Sequence, residues 1–486
     1  MTSDRHSRNN NDDNNESTAL IKNDLFIKRQ RPDSYRNHFY WLFSSLTALV
    51  SYKFINGLAR LVTVSVVGHL GSQELAGMSL AQMLESCTTL YLALGLTSAL
   101  DTLCGQAWTG AKDKTIIGLY IQRSIMIYIT GAISICIFWI LCLKYLMNDG
   151  STDEAVIRYA GIYILFFIPG IVTYAGYHIA GAYLQAQGIM RVGGYGALLS
   201  IPVTIAANYL LVVGKPFELG PAGAALADST SSIIMLIIMM SYIIFNTKSQ
   251  AGWGGWHIRH ALQDWGPIIR LCIPTICLHL LMSGIPQLCT LAISHFGETY
   301  SIAAHFILLK SSMAFHAFAH GLKHAMATRI GNLMGQGSLA DVKRAIVMSS
   351  VFAFCLATVS STLLIVWRRE YPSLYTKDED IAQVVSKVLP ILALQLVGYI
   401  YSNLAIGICD GLGRQRITVT MAFIAYFILG IPTCYFFAFT MKWAVLGLWI
   451  GLMIAEFIFA ILLFIHLYML NWSKELYEIE KRIKKG

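Results

Sequence analysis

Ionisable side chains inside long apolar runs are the residues of this sequence that could do chemistry. Lys53 and Arg60 lie in the first run, seven residues apart and therefore on one face of a helix. Glu85 and Asp101 lie in the second run, and His279 lies in the seventh. A charge inside a bilayer is costly, so such residues are by default candidates for binding a solute or a coupling ion.

The eighth apolar run contains most of the remaining candidates. They are His305, Lys310, His316, His320, Lys323 and His324. Three of them, His316, His320 and His324, form a histidine stripe with a spacing of four, which places the three rings on one helix face. We favour packing between helices or contact with headgroups for this stripe, although imidazole titrates near neutrality and could carry protons. Metal binding is less favoured, because no carboxylate or second histidine pair falls at a matching depth.

The elements that must position these residues are transmembrane helices. The chain has 486 residues, of which 56% are hydrophobic and only 13% are charged, and its mean hydropathy is +0.57. A soluble protein carries about twice that charged fraction, whereas each bilayer-crossing helix needs ~20 apolar residues. The apolar runs predict an all-α integral membrane protein with twelve transmembrane helices near residues 39–66, 77–101, 117–146, 156–180, 190–213, 222–245, 267–293, 300–326, 341–367, 382–407, 415–440 and 443–469.

Basic residues between the apolar runs indicate the topology. The tails and the even-numbered loops carry them, so the positive-inside rule predicts that both termini are cytoplasmic. These residues are Lys28, Arg29, Arg31, Arg36, Lys112, Lys114, Arg191, Lys248, Arg259, Arg329, Lys343, Arg414, Arg416, Lys481, Arg482, Lys484 and Lys485. The formal net charge of +9 is therefore a topology signal and not a nucleic-acid-binding patch. Residues 1–37 have the polar composition of a disordered cytoplasmic tail and no apolar core of a signal peptide.

The two halves of the sequence resemble each other. Gly95–Gly105 reads GLTSALDTLCG and Gly321–Gly331 reads GLKHAMATRIG, so two glycines, a leucine, an alanine and a threonine match in register. A repeat of six helices keeps both copies in one orientation and places the binding cavity between them. We predict two pseudo-symmetric six-helix bundles around a central cavity, formed by residues 38–246 and 267–471. Residues 247–266 are then a cytoplasmic linker, and 472–486 a second cytoplasmic tail.

Four groups of motifs carry a family resemblance. They are Val67-Gly-His-Leu-Gly71; Ser98-Ala-Leu-Asp-Thr-Leu-Cys-Gly-Gln-Ala107 with Gln122-Arg-Ser124; Ala327-Thr-Arg-Ile-Gly-Asn332 with Gly335 and Gly337; and Gly411-Leu-Gly-Arg-Gln415 with Gly447-Leu-Trp-Ile-Gly451. These motifs occur in the same order, and in the same spans, as in the eukaryotic branch of the multidrug and toxic compound extrusion (MATE) family, which the chain resembles. The resemblance runs from about Trp41 to Lys474. The resemblance implies two bundles arranged in a V and secondary transport, in which a proton or sodium ion is exchanged for an organic solute by alternating access.

The chain departs from the family pattern in its second half. The resemblance places two glutamates of the seventh span on Met282 and Gln287, a glutamate of the eighth on Lys310, and an acid of the tenth on Tyr399. It thus implies that the second half has lost its usual proton or cation carriers. A lysine buried at position 310, together with Lys53, could then favour an anionic or zwitterionic solute.

Two acids of the first half allow simpler interpretations. Arg60 and Glu85 each lie roughly 10 Å inside neighbouring antiparallel spans, where a structural ion pair and a titrating role are equally open. Asp101 falls at the cytoplasmic end of its predicted span, so we favour a helix-end hydrogen bond for it.

These features together predict a secondary active transporter that exports organic solutes or xenobiotics as an antiporter, with a proton or sodium ion as coupling ion and no other cofactor. The alternatives are an uncoupled facilitator, an organic-anion transporter, a flippase of related fold and, least favoured, a histidine-box membrane enzyme. The expected partners are a small organic solute and the lipid bilayer, not nucleic acid, and we expect a monomer in the plasma or vacuolar membrane. The candidate site residues are Lys53, Arg60, Glu85, Asp101, His279, Gln287, Lys310, His316 and Tyr399, and no catalytic, cofactor-binding or metal-binding residue is expected.

Overall fold

Helices make up almost all of the described chain. The computed structural model describes residues 35–68, 70–149, 153–214, 218–294, 299–375 and 378–485, and these residues contain no β-strand. We number their twelve long helices as spans 1 to 12. Spans 1 to 6 are Tyr35–Gly68; Ser72–Glu85 continuing through Ser86–Leu90 into Tyr91–Gly110; Ile116–Asp149; Glu154–Ala186; Arg191–Asn208 continuing through Tyr209–Val213; and Pro221–Phe245. Spans 7 to 12 are Gly266–Ser294; Thr299–Gly335; Leu339–Val366; Glu379–Leu412; Gln415–Ala422 continuing through Phe423–Gly430, Ile431–Tyr435 and Phe436–Thr440; and Ala444–Met469.

The helices have the dimensions of membrane spans. Within the described residues, spans 2 to 7 and 9 to 12 are long and apolar enough to cross a bilayer. Spans 1 and 8 have 34 and 37 residues, which is also long enough at 1.5 Å per residue, but they carry more basic side chains. The twelve-helix all-α fold predicted from the sequence is therefore confirmed.

Spans 2 and 8 extend well beyond the ends predicted at residues 101 and 326. Span 2 continues to Gly110 and span 8 to Gly335. The extra turns pack against each other, because a β-carbon at Gly105 would lie only 3.6 Å from Gly331 Cα, and one at Gly335 would lie 2.4 Å from the Gln106 carbonyl oxygen. The two glycine-containing repeat segments thus meet face to face, and their small residues allow the close approach.

Two hydrophobic clusters form the interior of the protein. One is built mainly by spans 2 to 6 and includes the fully buried Trp139, and the other is built mainly by spans 7 to 12 and includes Trp449. The beginning of span 1 packs in the second cluster through Leu42, while the beginning of span 7 packs in the first cluster through Ile268. Spans 1 and 7 therefore join the two clusters.

An amphipathic helix, Trp472–Lys485, packs against the end of the bundle at which spans 2, 8 and 10 end. Its Ile479 is fully buried, and its Ile483 lies against Gly110 of span 2. We refer to this helix as the C-terminal helix and to this end of the bundle as the C-terminal-helix end. Two shorter helices, Thr247–Gln250 and Ile258–Ala261, lie between spans 6 and 7.

Candidate functional site

Span 6 places an acidic side chain inside the first half of the protein. Asp228 lies seven residues after the helix start at Pro221, a distance of roughly 10 Å along the axis. Thr63 of span 1 donates a hydrogen bond to one carboxylate oxygen at 2.9 Å, and Tyr163 of span 4 donates to the other at 2.7 Å. Asn208 of span 5 in turn donates to the Thr63 hydroxyl at 3.1 Å. Spans 1, 4 and 6 therefore meet at one carboxylate, and span 5 contacts the Thr63 hydroxyl that binds it.

Glu85 adds a second acid to this region. It ends the first helix of span 2 and is 3% exposed, and its carboxylate interacts electrostatically with the hydroxyls of Tyr163 and Tyr128. Tyr163 thus links the two acids. We call Thr63, Glu85, Tyr163, Asn208 and Asp228 the first acidic cluster.

Span 12 places another acid inside the second half. Glu456 lies twelve residues after Ala444 and thirteen before Met469, roughly 20 Å from either helix end, and is 2% exposed. Ser402 of span 10 donates to its Oε1, and Tyr426 of span 11 donates to its Oε2, both at 2.5 Å. A buried carboxyl is costly unless hydrogen bonds satisfy it, and these two hydroxyls meet that requirement.

Local backbone features of spans 10 and 11 allow this arrangement. A β-carbon at Gly398 would lie 3.1 Å from Glu456 Cγ, so the glycine admits the acidic side chain against span 10. Tyr426 belongs to the π-helical stretch Phe423–Gly430 of span 11. Such widened turns are frequent at functional sites, because they reorient a side chain without ending the helix.

Tyr399 connects this region to the histidine stripe of span 8. His316 stacks on the Tyr399 ring with centroids 3.8 Å apart, and His320 Nε2 lies 3.2 Å from the Tyr399 hydroxyl. Tyr399 also interacts electrostatically with Glu456. We call this set the second acidic cluster; it consists of His316, His320, Tyr399, Ser402, Tyr426 and Glu456.

The third histidine of the stripe, His324, joins the two halves at the C-terminal-helix end. Its Nδ1 lies 3.1 Å from Asp101 Oδ2 of span 2, and Asp101 is 1% exposed. The predicted helix-end hydrogen bond of Asp101 is wrong. Span 2 continues for nine residues beyond this aspartate, and the continued helix buries the carboxylate between the halves.

A second buried pair lies beside the first. Lys323 Nζ of span 8 is 3.6 Å from Asp410 Oδ2 of span 10, and the two side chains are 4% and 3% exposed. The hydroxyl of Ser98 on span 2 also bonds the Asp410 carboxylate. Two acids and two basic side chains are thus gathered where the halves meet.

Polar side chains of span 2 also bind the last turn of span 10. Thr102 donates to the carbonyl oxygen of Asp410, and Gln106 donates to the carbonyl oxygen of Gly411 at 2.8 Å. The last turn of a helix leaves backbone carbonyls without hydrogen-bond donors from the same helix. Span 2 provides donors for two of these carbonyls of span 10.

The C-terminal helix extends this contact. Arg482 donates to Gln106 Oε1 at 3.1 Å, and Glu475 accepts two hydrogen bonds from Arg414, which follows span 10. The hydrogen bonds with Glu475 raise the pKa of the Arg414 guanidinium. One helix therefore contacts both halves, and the bundle is closed at this end.

Lys310 is exposed, which corrects the expectation of a buried lysine. It lies eleven residues into span 8, on a face shared with Phe306 and Met313, which are 58% and 56% exposed. Its ammonium is 5.0 Å from the centroid of the Phe306 ring. An ammonium inside a span is costly unless water or an anion contacts it.

The other predicted site residues are distributed as follows. His279 of span 7 is half-buried and stacks on Tyr91 of span 2, with ring centroids 5.8 Å apart. Lys53, Arg60 and Gln287 have described backbones in spans 1 and 7, but their side chains lie outside the described part of the chain. For Arg60 and Glu85, a structural ion pair and a titrating role therefore stay equally open.

Three acids of these sites are missing from the candidates predicted from sequence: Asp228, Asp410 and Glu456. The family pattern has its acids in spans 7, 8 and 10, where this chain has other residues, and so it implied a second half without coupling acids. The expectation of a second half without such acids is corrected by Glu456, because span 12 supplies a carboxyl close to Tyr399 of span 10. The signal was present, since Glu456 is the only acid in the 26-residue span 12 and an acid inside a span is a candidate by default.

Comparisons with known proteins agree with this fold. The MatE family model matches residues 52–210 and 274–436. An uncharacterised transporter of Schizosaccharomyces pombe is 30% identical over 422 residues, covering 85% of this chain and 75% of that protein. Human multidrug and toxin extrusion protein 1 is 29% identical over 417 residues, covering 84% of this chain and 70% of that protein. The crystal structure of a eukaryotic MATE transporter, AtDTX14, superposes with a TM-score of 0.85 at 23% identity, covering 93% of this chain and all of that chain.

The family match covers more than half of the chain and falls once in each half. The matched proteins are transporters and not enzymes, which excludes the histidine-box enzyme built on His316 and His320. The chain is an integral membrane transporter and belongs to the MatE family of multidrug and toxin extrusion proteins.

Proposed function

We propose that the protein is a secondary active antiporter that exports small organic solutes in exchange for protons by alternating access. The observation that carries the proposal is the hydrogen-bonded carboxylate of Asp228 within span 6. Ionisable residues inside spans mark ion and substrate pathways. Protonation of Asp228 changes its hydrogen bonds with Thr63 and Tyr163, and these residues belong to spans 1 and 4. Proton binding at this point can therefore alter the packing of three helices.

The closed C-terminal-helix end supports alternating access. By the positive-inside rule we expect this end and both termini on the cytoplasmic side. On that assignment, the contacts of Asp101 with His324 and of Gln106 with Gly411 form a cytoplasmic closure. We therefore assign this arrangement to an outward-facing state, in which a solute can leave and a proton can enter. Separation of these contacts would then produce the inward-facing state.

Transport by the purified full-length protein in liposomes tests this proposal. We expect an acidic lumen to drive uptake of ethidium, an organic cation, because outward proton flow is exchanged for inward dye flow. A sodium gradient at constant pH should drive no uptake. Uptake that is independent of the pH gradient would instead establish a facilitator, and uptake driven by sodium alone would replace the proton as coupling ion.

The oligomeric state and the membrane are part of the same proposal. We expect a monomer in the plasma or vacuolar membrane. Cross-linking in liposomes of low protein density tests the first expectation, and microscopy of the tagged protein in its native cells tests the second.

Organic-anion transport is a second candidate function, and the exposed ammonium of Lys310 favours it. If this side chain binds the solute, we expect uptake of the anionic dye fluorescein by the parent protein and loss of that uptake in Lys310→Ala. Lys112→Ala is the matched control, because this lysine is exposed in the loop between spans 2 and 3. Absence of fluorescein uptake in the parent, with unchanged ethidium uptake in Lys310→Ala, would contradict this candidate.

A further inference from the structure

The second acidic cluster contains a carboxyl whose hydrogen bonds suit two protonation states. In the ionised state Glu456 accepts from the hydroxyls of Ser402 and Tyr426, both at 2.5 Å. A hydroxyl can donate one hydrogen bond and also accept others, so a protonated Glu456 can donate to either of these oxygens. Ser402 has another acceptor in place, because its Oγ lies 3.1 Å from the Tyr399 carbonyl oxygen. The site can thus gain or lose one proton by rotating hydroxyl groups, without moving a helix.

The surroundings of Glu456 contain groups that titrate but no basic side chain bonded to it among the described residues. Tyr426 faces it from span 11 and Tyr399 from span 10. Through Tyr399 the cluster reaches His316 and His320 of span 8. Further along span 12, two turns before Glu456, the ring of Trp449 lies 5.8 Å from that of His305 of span 8. The carboxyl is therefore not held permanently ionised by an adjacent Lys or Arg within the described chain.

The ligand set favours a proton over a metal ion. One carboxyl and two hydroxyls converge at this site, whereas hard metal ions of the calcium and magnesium type take about six or more oxygen ligands. The described part of the chain also contains no group of three His, Cys, Asp or Glu side chains arranged to hold a metal ion.

We propose that Glu456 is a second proton-binding site of this transporter, placed at mid-membrane in the second half and loaded and unloaded during each transport cycle. Span 12 thereby supplies a carboxyl to the second half. In spans 7 and 10 of that half, Met282 and Tyr399 stand where the family resemblance places acids. Its two hydroxyl partners belong to spans 10 and 11, so its protonation changes the hydrogen bonds that connect three helices. The proposal rests on the proposed proton antiport and assigns that proton a second carrier beside Asp228.

Infrared difference spectroscopy of the purified full-length protein tests proton binding without a transported solute. Spectra of reconstituted protein at a series of pH values should contain a carboxyl C=O band that titrates, and Glu456→Gln should lose this band. Glu456→Asp should keep a shifted band, because it retains the carboxyl but withdraws it from Ser402 and Tyr426. The matched control is Glu480→Gln, an exposed position of the C-terminal helix, which should leave the band unchanged. Identical titrating bands in the parent and in Glu456→Gln would overturn the proposal.

Transport in liposomes provides the second measurement. We expect Glu456→Gln to lose ethidium accumulation driven by an acidic lumen, while Glu480→Gln accumulates the dye as the parent does. Glu456→Asp should recover part of the driven accumulation. Accumulation by Glu456→Gln equal to that of the parent would overturn the role of Glu456 and leave the antiport itself standing. Absence of driven uptake in the parent would overturn the antiport, and the infrared result would then decide separately whether Glu456 binds a proton.

Discussion

Asp228→Asn is expected to abolish ethidium accumulation driven by a pH gradient and to leave the protein folded. The substitution keeps the size and shape of the side chain, and the amide oxygen can still accept a hydrogen bond from Thr63 or Tyr163. The substitution removes the carboxyl group, which can take up and release a proton, and replaces it with an amide, which cannot. The measurement is dye uptake by liposomes with an acidic lumen, compared with dye exchange at equal pH, which should persist.

The control for this prediction is Asp113→Asn. This aspartate is exposed in the loop between spans 2 and 3, where hydrogen bonds from the backbone and side chain of Thr115 lower the pKa of its carboxyl. Its replacement should leave driven uptake unchanged. Tyr163→Phe should give an intermediate result, because it removes one donor and keeps the ring. Parent-like accumulation by Asp228→Asn would show that this carboxyl does not couple protons to transport.

Lys323→Met is expected to cause a large loss of stability. Lys323 and Asp410 are almost fully buried as an ion pair, and removing one member of such a pair leaves the other charge without compensation. The cost for buried pairs is about 3–5 kcal/mol in the free energy of unfolding. Asp101 lies close enough to Asp410 to interact electrostatically, so the loss of a positive charge also increases the repulsion between two acids. Thermal unfolding in detergent, followed by tryptophan fluorescence, measures the effect.

The double variant Lys323→Met/Asp410→Asn separates charge from packing. Because it removes the unpaired charge as well, most of the lost stability should return. Lys248→Met, at an exposed position of the linker between spans 6 and 7, should have no measurable effect. An unfolding temperature of Lys323→Met equal to that of the parent would contradict a stabilising role of the pair. A double variant as unstable as the single one would assign the loss to packing alone.

The sequence was sufficient for the number, order and approximate limits of the spans. An apolar run of this length can satisfy its backbone groups in lipid only as a helix, so composition alone determines the element. Helix ends were harder to predict. The last turns of spans 2 and 8 contain Gln106, Asn332 and other polar residues that read as loop, and they are helical because each span packs against the other at Gly105 and Gly331.

The candidate site was predicted less completely than the fold. The sequence points to Glu85 and His316 as ionisable residues inside spans, and to Tyr399 as a residue at a position where the family resemblance places an acid. The structure places all three in the two acidic clusters. Lys310 was expected to be buried and is exposed, because exposure depends on which face of span 8 the neighbouring helices cover. A sequence period specifies which residues share a face but not what lies against that face.

The sequence by itself therefore determined that the protein is a twelve-span helical transporter of the MatE family, since apolar runs and local motifs are properties of neighbouring residues. Only the tertiary structure decided which side chains surround each buried acid. Asp228 meets Thr63 across 165 positions of sequence, and Asp101 meets His324 across 223. Such contacts depend on helix packing, in which a single buried hydroxyl or histidine from a distant span determines whether a carboxyl inside the membrane is hydrogen-bonded, paired or ready to take a proton.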